Sequence, residues 1–253
     1  MYTLSAKAFL GYNILIMSEK FPNKELTETQ SAELALSSER GLLEYTKELR
    51  LPVDALIEKK VLDLGSGPTA KFAQDVEKDF PGTKVVSLDH SFEERDRTDF
   101  AYFPTEETKK GAENVERIPG LFTTLPFKDE AFDTVVSSAA MPLYLTTLGQ
   151  VEEAFKEVIR VLKKGGKAYI GPVTYTDVID TDPKKMIYET HVRHSYEESK
   201  VSFKKILEKF KDEIEFEFFP AETAQRLNRY FAEMETIVIK TPVLIISKKA
   251  NGK

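Results

Sequence analysis

The chain contains no cysteine and no tryptophan, and only three histidines among its 253 residues. Without cysteine it can form neither a disulfide framework nor a thiolate metal site, and it has no cysteine nucleophile. His191 and His194 stand three residues apart, but no third metal ligand is obvious near them. The sequence therefore excludes thiol chemistry, and we expect no metal.

The chain also lacks an excess of positive charge and any long apolar run. Its net charge is −6 and its isoelectric point is about 5.4, which disfavours nucleic acid as a partner. Residues 8–17 are mostly apolar, but this stretch is too short to span a bilayer and no cleavage site of small residues follows it. We expect a cytoplasmic protein with no membrane partner.

Neither internal repeats nor low-complexity linkers divide the chain, and a hydrophobic content of 41% supplies a sizeable core. Residues 1–50 are predicted to form a helical extension or lid, and residues 51–253 the main domain. Thr27 can cap a helix that runs to Leu49 with an interruption at Gly41, and Pro52 ends it.

The most informative stretch is residues 61–80. An apolar run that contains Asp63 is followed by Gly65-Ser66-Gly67-Pro68-Thr69-Ala70, and then by apolar residues at helical spacing. Strand, glycine turn and helix open a nucleotide-binding unit. Gly65 permits a sharp turn, and Gly67 lets backbone N–H groups approach a ligand closely.

A second predicted strand, residues 84–89, ends in an acid. Asp89 follows the glycines by roughly twenty residues, a spacing that suits a carboxylate accepting hydrogen bonds from both hydroxyls of a ribose. His90 follows on the same rim. The alternative for Asp89 is the N-cap of a helix.

Further strands and helices are predicted downstream. Residues 118–122 form the third strand, which must be an edge strand or a bulge because Pro119 has no N–H. The remaining strands are 132–138, 167–171, 213–219 and 242–248, and the helices are 148–162, 199–211 and 221–234. Asp133 begins the fourth strand and is interpreted as structural.

Two motifs carry a resemblance to a known family. Asp63-x-Gly65-x-Gly67 after an apolar strand, and Leu125-Pro126-Phe127 followed by Phe132-Asp133, resemble motifs of class I S-adenosylmethionine (SAM) methyltransferases. The resemblance implies SAM as the cofactor. It also implies an α/β, Rossmann-like fold in which helices flank a seven-stranded mixed sheet of order 3-2-1-4-5-7-6. The cofactor contacts that it implies are Asp63, Gly65, Ser66, Gly67, Asp89, His90, Leu121, Phe122 and Ser138.

The family places residues near the transferable methyl after the fourth strand, which is here the apolar segment 139–144. That segment suits an apolar or aromatic small-molecule acceptor with a nitrogen or oxygen nucleophile, and it also suits a plain structural loop. Tyr144 is the group that could hydrogen-bond an acceptor. His191, in the polar segment 174–200, is a candidate general base. The resemblance thus implies methyl transfer from SAM to a small molecule.

Three rival functions remain open at this point. A SAM-binding partner or sensor without catalysis is motivated by the missing polar residue between Met141 and Tyr144. A NAD-type oxidoreductase is disfavoured by the second motif and by two late strands that suit an antiparallel pair. An aminopropyl transfer enzyme would need more acids near the crevice.

Overall fold

The computed structural model describes residues 40–90, 115–173, 176–178, 191–193, 196–222 and 240–250. Residues 1–39 of the predicted extension or lid, and His194, which was considered as a metal ligand, lie outside these ranges. The helices are α1 (Leu42–Glu48), α2 (Lys71–Asp79), α3 (Leu148–Val161) and α4 (Tyr196–Leu207). The strands are β1 (Lys60–Leu64), β2 (Lys84–Leu88), β3 (Glu116–Ile118), β4 (Phe132–Ser138), β5 (Leu162–Gly171), β6 (Thr176–Val178), β7 (His191–Arg193), β8 (Ile214–Glu222) and β9 (Lys240–Lys248).

Seven strands form one sheet in the order β3-β2-β1-β4-β5-β9-β8. The pairs β1–β2, β1–β4, β2–β3 and β4–β5 are parallel, and β9 runs antiparallel to both β5 and β8. Counted within the sheet, this order is 3-2-1-4-5-7-6, so the predicted topology is confirmed. β6 and β7 form a separate two-stranded ribbon.

The core lies on both faces of the sheet, because its central strands are covered by helices on each side. Leu62 of β1 and Phe155 of α3 pack in one cluster, and both are fully buried. Val61 points to the opposite face, where it packs with Phe72 of α2 and Tyr45 of α1. Successive residues of β1 therefore serve opposite layers, as the period of a strand requires.

Helix α3 forms as the sequence predicts. The side chain of Thr147 caps it by accepting a hydrogen bond from the backbone N–H of Gln150 at 3.2 Å. Its buried face includes Val151, Phe155 and Val158, which recur at helical spacing. The helix ends at Val161, and the chain enters β5 directly.

Strand β3 lies at the edge of the sheet as predicted, but the predicted range 118–122 was wrong. The strand is Glu116–Ile118, and the chain leaves the sheet at Pro119, which has no N–H to donate. At Gly120 the backbone passes so close to β2 that an added Cβ would lie 2.9 Å from Cδ1 of Leu88. Leu121 and Phe122 are thereby brought over the carboxyl end of the sheet.

Other boundaries also differ from the prediction. β5 begins at Leu162 instead of Lys167, because Leu162 already pairs with Phe132 before a register shift. β8 continues through Glu222, where a helix over 221–234 was predicted, since Glu222 pairs with Lys240 of β9. The rest of that predicted helix, residues 223–234, lies outside the described ranges.

Arg160 of α3 fixes the loop that carries the Leu-Pro-Phe motif. Its guanidinium donates to the backbone oxygens of Phe127 at 2.7 Å and Leu125 at 3.1 Å. It also donates to Glu157 and to Asp129, each at 2.8 Å. These hydrogen bonds from Arg160 are the main cause that lowers the pKa of Glu157. The motif is therefore held from the side by a single planar cation.

We expect Arg160→Lys to lower the free energy of unfolding by roughly 1–3 kcal/mol, because a lysine cannot reproduce the forked set of charge-assisted bonds. Urea unfolding of the two proteins measures this difference. Arg50→Lys is the matched control, since Arg50 is exposed and its Cζ lies 5.5 Å from the ring centroid of Phe219, a contact that a lysine ammonium can also make. Equal stabilities of Arg160→Lys and the wild type would contradict the conclusion that the hydrogen bonds of Arg160 hold the Leu-Pro-Phe loop in place.

Candidate active site

The glycine turn after β1 is the meeting point of three segments. The backbone N–H of Gly65 donates to the carbonyl of Leu88 at 2.8 Å, and its φ is +74°. An added Cβ at Gly65 would lie 2.1 Å from Cβ of Ala140 and 3.3 Å from Cζ of Phe122. The loops after β1, β3 and β4 therefore pack together here, and only glycine fits between them.

Gly67 and Asp89 are brought together across the ends of β1 and β2. The N–H of Gly67 donates to Oδ2 of Asp89 at 2.9 Å, and an added Cβ on Gly67 would meet nothing within 4 Å. Asp89 is 8% exposed, and Nδ1 of His90 lies 3.4 Å from its Oδ1. The Oγ of Ser66 donates to the carbonyl of Gly67 at 3.3 Å. This turn thus presents an acid beside an open backbone surface.

Asp63 lies fully buried beneath the turn. The hydroxyl of Tyr45 donates to its Oδ1 at 2.9 Å, while Oδ2 has no hydrogen-bond partner among the described residues. Burial raises the pKa of Asp63 to about 8; the Tyr45 bond lowers it and the charge of Asp89 raises it. The ring of Tyr45 stacks on Phe72 with centroids 4.2 Å apart, which holds α1 against α2.

The buried carboxyl makes stability depend on pH. Its pKa is about 4 in an unfolded chain and about 8 in the fold, so between these values the folded state binds more protons. The free energy of unfolding therefore falls as pH rises from about 4 to 8, by at most about 1.4 kcal/mol per pH unit from this group. Asp63→Asn removes this titration.

We expect Asp63→Asn to be more stable than the wild type at pH 8 and to show a flatter pH dependence, because the amide oxygen still accepts the Tyr45 bond. Urea unfolding at several pH values measures both effects. Asp212→Asn, at an exposed site, serves as the control and should track the wild type. If the free energy of unfolding depended on pH in the same way for Asp63→Asn and the wild type, the interpretation that Asp63 is buried and neutral would be wrong.

The end of β4 carries a second polar group. The Oγ of Ser138 donates to Oε2 of Glu48 at 2.8 Å, and Nε of Arg40 lies 3.2 Å from the same oxygen. Beside it, Ser137 joins the strand ends: its Oγ donates to the carbonyl of Leu64 at 3.0 Å and accepts from the N–H of Met141 at 2.9 Å. The predicted residue Ser138 therefore lies beside Glu48 of α1 and Arg40, which precedes that helix.

Sequence reasoning missed Arg40, Tyr45 and Glu48. All three belong to the N-terminal extension, which carries no motif. The available signal is spacing: Tyr45 and Glu48 are three residues apart in α1 and so lie on one face of the helix. What they contact depends on strands that are far away in the sequence.

The rim of the crevice differs in part from the prediction. Segment 139–144 does not lie open to a ligand along its length, because Ala140, Met141 and Leu143 are buried and Met141 belongs to the core. Tyr144 is the member that reaches solvent, with 65% of its surface exposed, and Leu121 is 63% exposed. Tyr144 and Leu121 therefore present an aromatic hydroxyl and an apolar side chain to solvent at this rim.

His191 lies in the ribbon rather than on a helix. It pairs with Val178 across β6 and β7, so the helical spacing that would align it with His194 does not apply to it. Within the described ranges, no group of three or more histidine, cysteine or acidic side chains could hold a metal ion. No helix in the same ranges is long and apolar enough to cross a membrane.

Residues 62–170 match the family model of a methyltransferase domain. This segment of the chain is therefore similar to a methyltransferase domain. A crystal structure from Methanococcus maripaludis, of a protein described as a SAM-dependent methyltransferase, has a TM-score of 0.51 at 17% identity; the match covers 91% of this chain and 96% of that one. A SAM-dependent methyltransferase from Methanosarcina mazei gives a TM-score of 0.49 at 20% identity, covering 79% and 97%. These likenesses concern the fold.

The described residues at this crevice fit SAM as a cofactor. SAM consists of a nucleoside joined through a cationic sulfonium to a zwitterionic amino acid. Its ribose hydroxyls bind to a carboxylate, and its amino-acid part packs closely against the protein backbone. Asp89 supplies the acid, and the turn at Gly65 and Gly67 supplies the surface. The orphaned Oδ2 of Asp63 lies under the same turn.

Proposed function

We propose that this crevice transfers the methyl group of SAM to a nitrogen or oxygen atom of a small molecule. In this proposal Asp89 and His90 face the ribose, and the backbone of residues 65–67 holds the methionine part. Leu121 and Phe122 flank the adenine, Ser138 lies at the far end of the cofactor, and Asp63 supports the turn from below.

The observation that carries the proposal is the bond from Gly67 to Asp89. It ties the acid after β2 to the glycine turn after β1 at 2.9 Å, so that ribose and tail sites form one continuous surface. Parallel strands place these groups at the carboxyl edge of the sheet, where ligands of open α/β folds bind. Phe122 lies against the same turn.

Methyl transfer from SAM requires few specialised side chains. Bound SAM supplies a methyl group already activated by its sulfonium. The side chains of this chain have to orient the acceptor and exclude water. Tyr144, on the rim, is the hydrogen-bonding group proposed for the acceptor, and His191 is proposed as its general base. An acidic net charge and an apolar rim favour a small molecule over nucleic acid.

We also propose that residues 1–50 cover this site. The described part of that extension, residues 40–50, contacts the site at two points and the neighbouring helix α2 at a third. Tyr45 bonds to Asp63, Glu48 to Ser138, and the N–H of Leu42 donates to Oδ2 of Asp75 on α2 at 3.1 Å. The remaining residues 51–253 form the cofactor-binding domain in this proposal.

The proposed acceptor class is tested with SAM that carries a radioactive methyl group. The purified protein is incubated with a cell extract divided by ultrafiltration into small molecules, protein and RNA. A labelled small molecule that chromatography separates from SAM, formed by the wild type and absent with Asp89→Asn, supports the proposal. Label confined to RNA or protein would contradict it.

A further inference from the structure

A second cleft lies at the amino edge of the sheet, the edge opposite the crevice. Its volume is about 290 Å³, near the lower limit for sites that hold a small molecule. Pro52, Asp54 and Ala55, which follow α1, line one side of it, and residues 164–167 of β5 line another. The Oγ1 of Thr134 on β4 donates to the carbonyl of Ala55 at 2.6 Å. The segment between α1 and β1 is thereby fixed to the sheet beside the cleft.

Tyr169 reaches this cleft from the core. The residue is 3% exposed, and its ring packs in the same cluster as Tyr45 and Phe72. A buried tyrosine hydroxyl normally has a hydrogen-bond partner, but within the described ranges no residue supplies one to Tyr169. Burial, and then the charge of Asp54, raises the pKa of Tyr169, so the hydroxyl keeps its proton. The cleft therefore contains an unpartnered donor close to a carboxylate.

Positive charge is in excess in the cleft. Three exposed lysines line it and form no salt bridge within the described part of the chain, namely Lys59, Lys164 and Lys167. The carboxylates of the lining are Asp54 and Asp133, and Lys163 already pairs with Asp133 at 2.8 Å. Three lysines and one remaining carboxylate leave about two positive charges in excess, which matches the charge of a phosphate monoester near pH 7.

Strand β5 orders these groups along the cleft. Lys167 pairs with Thr134 of β4, and Tyr169 pairs with Val136 of the same strand. Lys167 and Tyr169 are two residues apart, so they lie on the same face of the sheet with Cα atoms about 7 Å apart. Lysine ammonium groups therefore lie toward the edge of the sheet, and the tyrosine hydroxyl lies further in. This separation fits a small molecule with a phosphate at one end and a hydroxyl a few bonds away.

We propose that this cleft binds a phosphate monoester of a small hydroxylated molecule. Lys59, Lys164 and Lys167 bind the phosphate, since an ammonium binds phosphate as a point charge. A hydroxyl of the organic part accepts from Tyr169 and donates to Asp54. The site lies at the opposite edge of the sheet from the crevice, so the inference goes beyond the proposed function and does not depend on it.

The test is calorimetric titration of the purified protein with glycerol 3-phosphate and with methyl phosphate, which has no hydroxyl on its organic part. We expect Tyr169→Phe to weaken binding of glycerol 3-phosphate roughly fivefold, the loss of one neutral hydrogen bond, and to leave methyl phosphate unchanged. Lys167→Met should weaken binding of both esters at least about tenfold, because it removes a charge-assisted bond. A wild type that binds neither ester, or a Tyr169→Phe variant that binds glycerol 3-phosphate as the wild type does, would overturn the inference.

Two matched variants serve as controls. Lys204→Met removes an exposed lysine of α4, and Tyr144→Phe removes an exposed hydroxyl at the rim of the crevice. Both should bind glycerol 3-phosphate like the wild type. Thermal unfolding shows whether each variant is folded, and Lys164→Met replaces Lys167→Met if the latter is not. Equal weakening by Lys204→Met and Lys167→Met would show an effect of net charge alone, and the inference would be wrong.

Further measurements identify the source of the phosphate and separate the two sites. Binding to phosphatidylcholine vesicles that contain phosphatidic acid, without binding to glycerol 3-phosphate, would indicate a lipid headgroup and overturn the small-molecule ligand. Asp89→Asn should bind glycerol 3-phosphate normally, and loss of that binding would place the ester in the crevice instead. A protein that binds glycerol 3-phosphate but not S-adenosylhomocysteine would overturn the proposed cofactor site and leave this inference standing.

Discussion

We expect Gly65→Ala to abolish binding of S-adenosylhomocysteine and to lower the stability of the protein. The new methyl group would lie 2.1 Å from Cβ of Ala140, a distance that requires the turn or the β4 loop to move. The backbone at this position also has a φ of +74°, which disfavours any residue with a Cβ. Since the turn holds the N–H of Gly67 against Asp89, its displacement opens the cofactor surface.

The matched control for the stability effect is Gly67→Ala. It has a similar φ of +71°, but its added Cβ would meet no protein atom within 4 Å. It therefore carries the conformational cost, on the order of 1 kcal/mol, without the clash. Thermal unfolding of both variants separates the clash from the conformational cost. If Gly65→Ala unfolded like Gly67→Ala, the close packing at Gly65 would not contribute to stability.

Asp89→Asn weakens binding of S-adenosylhomocysteine by about a hundredfold or more. In the proposed site the carboxylate accepts hydrogen bonds from both ribose hydroxyls, and a bond to a charged group contributes roughly 1.5–3 kcal/mol. An amide offers one acceptor in place of two, and its NH₂ group faces the N–H of Gly67 in one of its two orientations. The loss should appear in affinity for every adenosine derivative, with or without an amino-acid end.

Asp133→Asn provides the contrast. Asp133 lies at the start of β4, at the opposite edge of the sheet, where its Oδ2 accepts from the N–H of Lys60 at 3.0 Å and from Lys163 at 2.8 Å. We expect it to reduce stability and to leave the dissociation constant unchanged. If the two variants had equal dissociation constants, Asp89 would not be a cofactor ligand.

Much of the fold could be predicted from local signals. β1, α2 and β2 lie within a residue or so of their predicted ranges, because an apolar run, a glycine turn and a helical period are short-range patterns. Strand β3 was misplaced because its few residues, Glu116–Ile118, are mostly polar and lie at an edge. Its position depends on pairing with β2, which the local sequence does not encode.

The candidate site divides in the same way. Gly65, Gly67 and Asp89 were predicted because the distance in sequence between the glycine turn and the acid is the one typical of nucleotide-binding units, in which the acid binds the ribose. Their mutual contact, from Gly67 to Asp89, was not predicted. The segment 139–144 was misjudged because an apolar sequence reads alike whether it lines a crevice or fills a core. Burial of Met141 was decided by packing.

By itself the sequence determined the glycine turn and the acid after β2, because each depends on residues close together in the chain; the sheet order and the cofactor followed from the family resemblance that these motifs carry. Only the tertiary structure placed Tyr45 against Asp63, and Arg40 and Glu48 beside Ser138. Ser138 lies 90 residues from Glu48 in the chain and 2.8 Å from it in space. Such contacts arise from how strands and helices pack across the whole domain, and no local pattern specifies them.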